Sequence, residues 1–128
     1  MENLVIDGST SSPRVDFDAA RGHLLLSGES YPENSFEFYK PLLNWIRSFL
    51  EQSPQEVTLE LRLAYLNTSS IKALMDLLDD LEEAHRAGRQ VSVNWYYDEE
   101  NDRALDLAEE FREDLTLPFF IIPTRIGV

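Results

Sequence analysis

A run of alternating residues in the middle of the chain is the feature that most limits its fold. Apolar side chains occupy every second position there, namely Val57, Leu59, Leu61, Leu63 and Tyr65. Polar or small residues lie between them. Because successive side chains of a strand point to opposite faces of a sheet, the pattern predicts a strand with one buried and one wetted face. The alternation returns at Val91, Val93, Trp95 and Tyr97. Two such strands predict helices packed mainly on one face of the sheet, whereas a doubly wound fold, the second choice, would show continuous apolar runs.

Helical periodicity surrounds these strands. The first helix is predicted after residues 32–35, with Asn34 or Ser35 as N-cap, and Pro41 predicts a kink or a start just before it. Its apolar residues form two adjacent stripes: Phe36, Tyr39, Leu43, Ile46 and Leu50, beside Phe38, Leu42, Trp45 and Phe49. The second helix ends at Gly88. Its predicted inner face contains Ile71, Leu74, Met75, Leu78, Leu81 and His85. A third helix is predicted from about Asp102 to Leu115.

Shorter signals complete the order of elements. Residues 15–17 and 23–26 predict a hairpin in which Gly22 takes a positive φ. Residues 119–122 predict a short buried strand closed by Pro123. The expected fold class is α/β, a mixed β-sheet with helices packed mainly on one face, formed by a single domain of residues 1–128.

Composition narrows the class of protein. The 128 residues suit one domain, and the absence of cysteine removes disulfides and thiolate chemistry. A net charge of −13 disfavours nucleic acid and direct membrane contact as partners and suits basic proteins, although acidity can also serve solubility alone. The N-terminus has no signal-peptide pattern, and no apolar run is long enough to cross a bilayer, so we expect a cytoplasmic protein.

Motifs for catalysis are not found in the sequence. His23 and His85 have no partner at a diagnostic spacing, and the five glycines form no phosphate-binding loop. We therefore expect no enzymatic activity, no cofactor and no metal. An alternative remains in Asp76, Asp79, Asp80 and Glu83, which share one helix face. They form a solvated face, a docking surface for a basic partner, or a cation site in a small metal-dependent enzyme or ligand-binding domain.

Two further surfaces leave alternatives open. The window from Asp98 to Asp114 has nine acidic and two basic residues, so it supplies −7 of the net charge as a solvated or partner-facing surface. The stripe with Phe38, Leu42 and Trp45 is either ordinary core or a protein-binding patch.

The junction between the clearest strand and the second helix is the candidate functional site. It contains Leu66, Asn67, Thr68, Ser69 and Ser70. These polar residues suit an N-cap. Four in a row exceed what one cap needs, however, and the first turn has no Asp or Glu but contains Lys72. A phosphate on Thr68 would bring about −1.5 to −2 charges to free amides and the positive end of the helix dipole. The sequence therefore predicts either a plain cap or a phosphorylation switch at Thr68.

These residues carry a resemblance to known families. A strand that opens into a helix through a phosphorylatable hydroxyl resembles the switch of STAS domains, including the anti-sigma factor antagonists. More closely, the chain resembles the SiaC family of bacterial biofilm-regulating phosphoproteins. The resemblance covers nearly the whole chain, through segments 30–34, 38–45, 65–69 and 95–97.

The resemblance implies a STAS-like fold and a signalling role. It implies phosphorylation of Thr68 by a SiaB-like partner kinase and dephosphorylation by a SiaA-like phosphatase of the PP2C type. The unphosphorylated form would bind and activate a SiaD-like GGDEF diguanylate cyclase, which raises cyclic di-GMP. The chain departs from the Asp-Ser-[Ser/Thr]-Gly pattern of the anti-sigma factor antagonists, since Asn67 stands in the Asp position and no Gly follows. A partner-switching protein of that type is the alternative.

Overall fold

Six strands and three helices make up the computed structural model, which describes residues 1–125. The strands are β1 (Leu4–Ile6), β2 (Arg14–Asp18), β3 (His23–Ser30), β4 (Val57–Leu66), β5 (Val91–Asp98) and β6 (Phe119–Thr124). The helices are α1 (Ser35–Gln52), α2 (Thr68–Arg86) and α3 (Asp102–Glu113). The predicted order of elements is confirmed, with β1 as an additional strand.

The six strands form one mixed sheet in the order of the chain, β1-β2-β3-β4-β5-β6. The first three strands are antiparallel, and β3 to β6 are parallel. Since this order has no reversal, crossovers of one hand place all three helices on the same face. The alternating residues Leu59, Leu61, Val93 and Trp95 are fully buried. The predicted α/β class is therefore confirmed.

Gly22 closes the hairpin between β2 and β3. Its φ is +64°, as predicted, and a Cβ atom there would lie 2.1 Å from the carbonyl oxygen of Glu56. Only glycine fits this turn without displacing the backbone that leads into β4.

A β-bulge changes the alternation of β4 near its end. Gly28 pairs with Leu63 but Glu29 pairs with Tyr65, so Ala64 is the extra residue. Tyr65 is therefore 49% exposed, and its predicted place on the buried face is wrong, because the bulge puts Leu66 there instead. The side-chain nitrogen of Asn101, the N-cap of α3, donates to the carbonyl oxygen of Ala64 at 3.3 Å.

The helices correct several details of the predicted core. Asn34 is the N-cap of α1, and Pro41 lies inside the helix rather than at its start. Phe36, on the exposed side of the first turn, is 73% exposed, so the stripe that begins with it enters the core only from Tyr39 onward. Met75 is 44% exposed, so its predicted place on the inner face of α2 is wrong. It follows the buried Leu74 by one residue, and successive side chains of an α-helix point about 100° apart around the helix axis.

Strand β6 lies at the edge of the sheet, where Pro123 removes no interior hydrogen bond. Its predicted burial holds for Phe119 but is wrong for Phe120, which is 53% exposed on the face without helices. Within residues 1–125, none of the helices has the length and apolar character needed to cross a membrane.

Candidate functional site

The candidate site lies where β3 and β4 end and α1 and α2 begin. Because β3 and β4 are parallel, their carboxyl ends meet at one edge of the sheet. The two helices also run parallel: Ser35 contacts Ser69 near their starts, and Arg47 pairs with Asp80 at 2.9 Å farther along. The amide of Asn67 donates to the carbonyl oxygen of Ser30 at 2.9 Å. This bond fixes the start of α2 against the end of β3.

Asn67, rather than Thr68, caps α2. Its side-chain oxygen accepts from the amide of Ser70 at 2.9 Å and from the hydroxyl of Ser69 at 3.3 Å. Thr68 is the first residue of the helix, and it is exposed. Across residues 1–125 its hydroxyl takes part in no hydrogen bond. The capping interpretation of this junction therefore applies to Asn67 and leaves the Thr68 hydroxyl free.

A hydroxyl cluster lies directly beneath this turn. Its members are Ser30, Ser35, Tyr39, Ser69 and Ser70. Ser30 contacts the Tyr39 hydroxyl at 2.7 Å and donates to Ser70 at 2.8 Å. Ser35 contacts Ser69 at 2.8 Å and Ser70 at 3.3 Å. Burial raises the pKa of the Tyr39 phenol, and the bond to Ser30 and the nearby Ser70 hydroxyl oppose this only in part.

Because of the hydroxyl cluster, the three consecutive hydroxyl side chains at the start of α2 differ in exposure and in hydrogen bonding. Ser70 is fully buried, so no enzyme can reach it in this fold. Ser69 is exposed, but its oxygen is held by Ser35 and Asn67. Among the three, Thr68 alone combines exposure with a hydroxyl that bonds no residue of the described range 1–125. This cluster was not predicted from the sequence, although a parallel pairing of β3 with β4 would bring Ser30 and the start of α2 to one edge of the sheet.

The electrostatics of the first turn favour an added anion. The positive end of the α2 dipole lies here, and the first turn has no acidic residue. Lys72 is exposed one turn after Thr68, and it makes no ion pair with any residue that the structure describes. A phosphate on Thr68 would therefore meet helix amides and a free ammonium group.

Exposed apolar side chains surround this turn, and we call them the apolar rim. They are Tyr31, Phe36, Tyr65 and Met75. Tyr31 and Tyr65 contact each other edge to face, with ring centroids 5.9 Å apart. Phe36 follows Ser35 of the hydroxyl cluster, and Met75 shares the exposed face of α2 with Thr68 and Lys72. Clustered exposed aromatic side chains are typical of protein-binding surfaces.

The acidic residues of α2 continue the same surface. Asp76, Asp79 and Glu83 are exposed, whereas Asp80 is half-buried and pairs with Arg47. Partial loss of solvation, followed by the charges of Asp76 and Asp80, raises the pKa of Asp79 although its side chain is largely exposed. Among residues 1–125, no group of three or more acidic or histidine side chains is arranged to hold a metal ion. This face is therefore a charged protein surface in the part of the chain described.

The second stripe of α1 belongs mainly to the core. Leu42 is fully buried, so of its two predicted roles the core alternative is confirmed and the partner contact is excluded. Trp45 is half-buried, stacks on Phe49 with centroids 5.1 Å apart and contacts Phe17. Its indole nitrogen donates to the carbonyl oxygen of Glu2 at 2.9 Å. Phe38 is half-buried and contacts Tyr39. Trp45 therefore fastens the N-terminal segment to α1.

Glu82 is a buried carboxylate that no pattern in the sequence predicted. It accepts hydrogen bonds from the amides of Thr116 and Leu117 at 2.9 and 3.0 Å, and from Arg86 at 2.8 Å. Burial alone would raise the pKa of Glu82, but the bonds from Thr116, Leu117 and Arg86 outweigh it and lower the pKa to about 2. The carboxylate thereby ties α2 to the connection between α3 and β6.

Comparison with known proteins identifies close relatives. Residues 6–124 match the family model described as SiaC family regulatory phosphoprotein. An uncharacterised protein of Pseudomonas aeruginosa strain UCBPP-PA14 is 51% identical over 121 residues, which cover 94% of this chain and 96% of the relative.

Solved structures from the same species match as well. The crystal structure of apo-SiaC from Pseudomonas aeruginosa is 50% identical, with a TM-score of 0.92, over 95% of this chain and 99% of that chain. The structure of the diguanylate cyclase SiaD in complex with its activator SiaC, also from Pseudomonas aeruginosa, matches at 50% identity and a TM-score of 0.92. That match covers 94% of this chain and 99% of that chain.

Proposed function

Because the chain belongs to the SiaC family of regulatory phosphoproteins, we propose that it is a non-catalytic adaptor whose binding to a GGDEF diguanylate cyclase is switched by phosphorylation of Thr68. The observation that carries the proposal is the state of three neighbouring hydroxyls. Ser70 is buried, Ser69 is held by Ser35 and Asn67, and Thr68 is exposed and makes no side-chain hydrogen bond to the residues that the structure describes. The solved complex of a relative with its cyclase supports the identity of the partner.

The proposed modification is a phosphoryl transfer carried out by other proteins. The Thr68 oxygen attacks the γ-phosphorus of ATP held by a SiaB-like kinase, ADP leaves, and the hydroxyl proton passes to a base of the kinase. A SiaA-like phosphatase of the PP2C type reverses the reaction by hydrolysis, which returns the hydroxyl and releases inorganic phosphate. In this scheme the chain supplies only the acceptor hydroxyl and its surroundings.

The phosphorylated chain should keep its fold. The phosphate adds about −1.5 to −2 charges at the positive end of α2, close to Lys72 and without a neighbouring acid in the first turn. The hydroxyl cluster and the Asn67 cap do not use the Thr68 oxygen, so no native hydrogen bond is lost. The modification therefore changes the surface rather than the structure.

The proposed docking surface for the cyclase is the apolar rim around Thr68. In the unmodified chain, Tyr31, Phe36, Tyr65 and Met75 can be covered by a partner, and a neutral threonine hydroxyl can be covered with them. A hydrated phosphate among these side chains would have to lose its water on docking, which is unfavourable without a cationic partner group. Phosphorylation would then release the cyclase.

The test uses the purified chain, a SiaB-like kinase with ATP, and the diguanylate cyclase. We expect fragment mass spectrometry to place one phosphate on Thr68, and we expect the phosphorylated chain to bind the cyclase at least about tenfold more weakly with unchanged circular dichroism. Thr68→Ala should bind the cyclase and resist the kinase, while Ser69→Ala is the matched control that remains a substrate. Phosphorylation of Thr68→Ala at Ser69 would refute the assigned site, and equal cyclase affinity of both forms would refute the switch.

A further inference from the structure

The β-bulge near the end of β4 leaves a backbone group without a partner in the sheet. The extra residue, Ala64, lies four residues before Thr68 and pairs with no residue of β3. The pairing of β4 with β5 ends before it, at Leu61. Because both ladders pass Ala64 by, its carbonyl oxygen depends on a donor from outside the sheet. That donor is the side chain of Asn101, at 3.3 Å.

Two hydrogen bonds of opposite direction fix the orientation of the Asn101 side chain. Its oxygen accepts from the amide of Ala104 at 3.1 Å and so caps α3, while its nitrogen donates to Ala64. The main chain of Asn101 is held as well, since its amide donates to the carbonyl oxygen of Asp98 at 2.7 Å. A carboxylate or a hydroxyl at this position would also cap the helix. Among the common capping side chains, however, asparagine alone presents an acceptor and an N–H donor on separate atoms.

The strand on the other side of the bulge is adapted to it. Gly28, which pairs with Leu63 at the register shift, has a φ of +118°. Residues with a side chain rarely adopt this backbone conformation, so the position favours glycine. The bulge is therefore fixed from two sides, by Gly28 on β3 and by Asn101 at the start of α3.

The bulge decides whether the ring of Tyr65 is exposed. Without an extra residue, the alternation of β4 would place Tyr65 on the buried face together with Leu63. With the extra residue, Leu66 is buried instead and Tyr65 is 49% exposed. The Tyr65 ring lies edge to face on Tyr31, with centroids 5.9 Å apart. Tyr65 therefore belongs to the apolar rim because of the bulge.

From these contacts we infer that Asn101 is a positioning residue for the cyclase-binding surface: by holding the bulge of β4, it keeps Tyr65 outside the core and beside Tyr31. This inference rests on the proposed function, because the apolar rim is the proposed docking surface for the cyclase. Asn101 acts through Tyr65 rather than by contact with the cyclase. It also connects the start of α3 with the strand that leads into Thr68.

The first test removes the bond to the bulge and keeps the helix cap. Asn101→Asp has nearly the same shape but no N–H group, and Asn101→Ser is uncharged but too short to reach both Ala104 and Ala64. Both variants should bind the cyclase at least about fivefold more weakly, with a melting temperature lowered by no more than about 5 °C. The matched control is Glu100→Gln, at the exposed neighbouring residue, which should bind within about twofold of the unchanged chain. Undiminished binding by both Asn101 variants would overturn the inference.

The second test measures cyclase affinity in a double-mutant cycle of Asn101 and Tyr65. Tyr65→Ala should weaken binding at least about tenfold, because it removes an exposed aromatic side chain from the docking surface. When Asn101→Ser is added to Tyr65→Ala, almost no further loss should follow, since the side chain that Asn101 positions is already absent. If the two losses of affinity instead multiply, Asn101 does not act through Tyr65 and the inference is overturned.

The third measurement needs no partner. NMR spectra of the free chain should show NOEs between the rings of Tyr31 and Tyr65, and Asn101→Asp should weaken or remove them. If the unchanged chain does not bind the cyclase, the proposed function fails and the docking role of Asn101 fails with it, whereas the ring contacts still show whether Asn101 positions Tyr65. If the unchanged chain binds and is released by phosphorylation of Thr68, while the Asn101 variants keep both the ring contacts and the affinity, only the positioning role is wrong.

Discussion

Asn67 holds the first turn of α2 through the amide of Ser70, with its side-chain oxygen 2.9 Å from the amide nitrogen. The hydroxyl of Thr68 contributes no hydrogen bond within residues 1–125, so the two neighbouring residues should differ sharply in their effect on stability. We expect Asn67→Ala to lower the free energy of unfolding by about 1 kcal/mol and Thr68→Ala to change it by less than about 0.5 kcal/mol. Urea denaturation measures both. An equal loss in the two variants would show that Thr68 shares the capping role.

The buried hydroxyl cluster should act as a coupled unit. Ser30→Ala removes the partner of the Tyr39 hydroxyl and the shorter of the two contacts of Ser70, and should cost about 1–3 kcal/mol, since it leaves the buried Tyr39 hydroxyl without Ser30. In the double variant with Ser70→Ala, the loss should be smaller than the sum of the single losses by at least about 0.5 kcal/mol. Ser27→Ala, on the same strand and half-exposed, is the control and should be nearly neutral. Strict additivity would argue against the cluster.

The carboxylate of Glu82 should make stability depend on pH in the acid range. Its pKa is about 2 in the folded chain, below the ordinary value of 4.5, so its contribution is complete above pH 4.5 and is lost as the pH falls toward 2. Glu82→Gln should therefore cost on the order of 2–3 kcal/mol at pH 7, and the difference from the unchanged chain should shrink below pH 4.5. Denaturation at a series of pH values tests this. Glu83→Gln, on the exposed face, should track the unchanged chain, and a pH-independent loss in Glu82→Gln would contradict the assignment.

The N-terminal strand should depend on Trp45. Trp45→Phe keeps an aromatic ring beside Phe49 but removes the bond to the carbonyl oxygen of Glu2. Hydrogen–deuterium exchange of the β1 amides should then speed up by about threefold to tenfold, the equivalent of one hydrogen bond, with little change in β4. Phe36→Ala, which alters an exposed ring on the same helix, should leave the exchange of β1 unchanged. Exchange that rises equally throughout the sheet would indicate a general loss of packing instead.

Regular patterns predicted most of the fold, and irregular features account for the differences. The alternation from Val57 to Leu63 and from Val91 to Trp95 predicted two strands and the buried face of each. The alternation failed at Tyr65 because the extra residue Ala64 moves the following side chains to the opposite face of the sheet. A single inserted residue of this kind cannot be recognised from the apolar pattern of the sequence. Strand β1 was missed because three residues are too few to show an alternation, and it pairs with β2 across an irregular segment, while the distant Trp45 holds the residues before it.

The sequence predicted where the candidate site lies, but not which of its residues caps the helix, which is buried and which is exposed. Capping chemistry singled out Asn67, Thr68, Ser69 and Ser70 together, since all four side chains suit a helix start. Which of them caps, which is buried and which is free depends on Ser30, Ser35 and Tyr39, which approach from other elements. Glu82 was missed for the same reason: its donors, Thr116 and Leu117, lie more than thirty residues away in the chain.

The chain-ordered sheet also has a consequence for how the molecule is assembled. Every strand pairs with the strand that precedes it, so no segment has to insert between two partners that have already joined. During synthesis, the part from β1 to β4 can form before α3 and β6 have left the ribosome, and each later β-α unit adds to one growing edge. The start of α2, whose contacts come from β3 and α1, would then take its final shape before the C-terminal third of the protein exists.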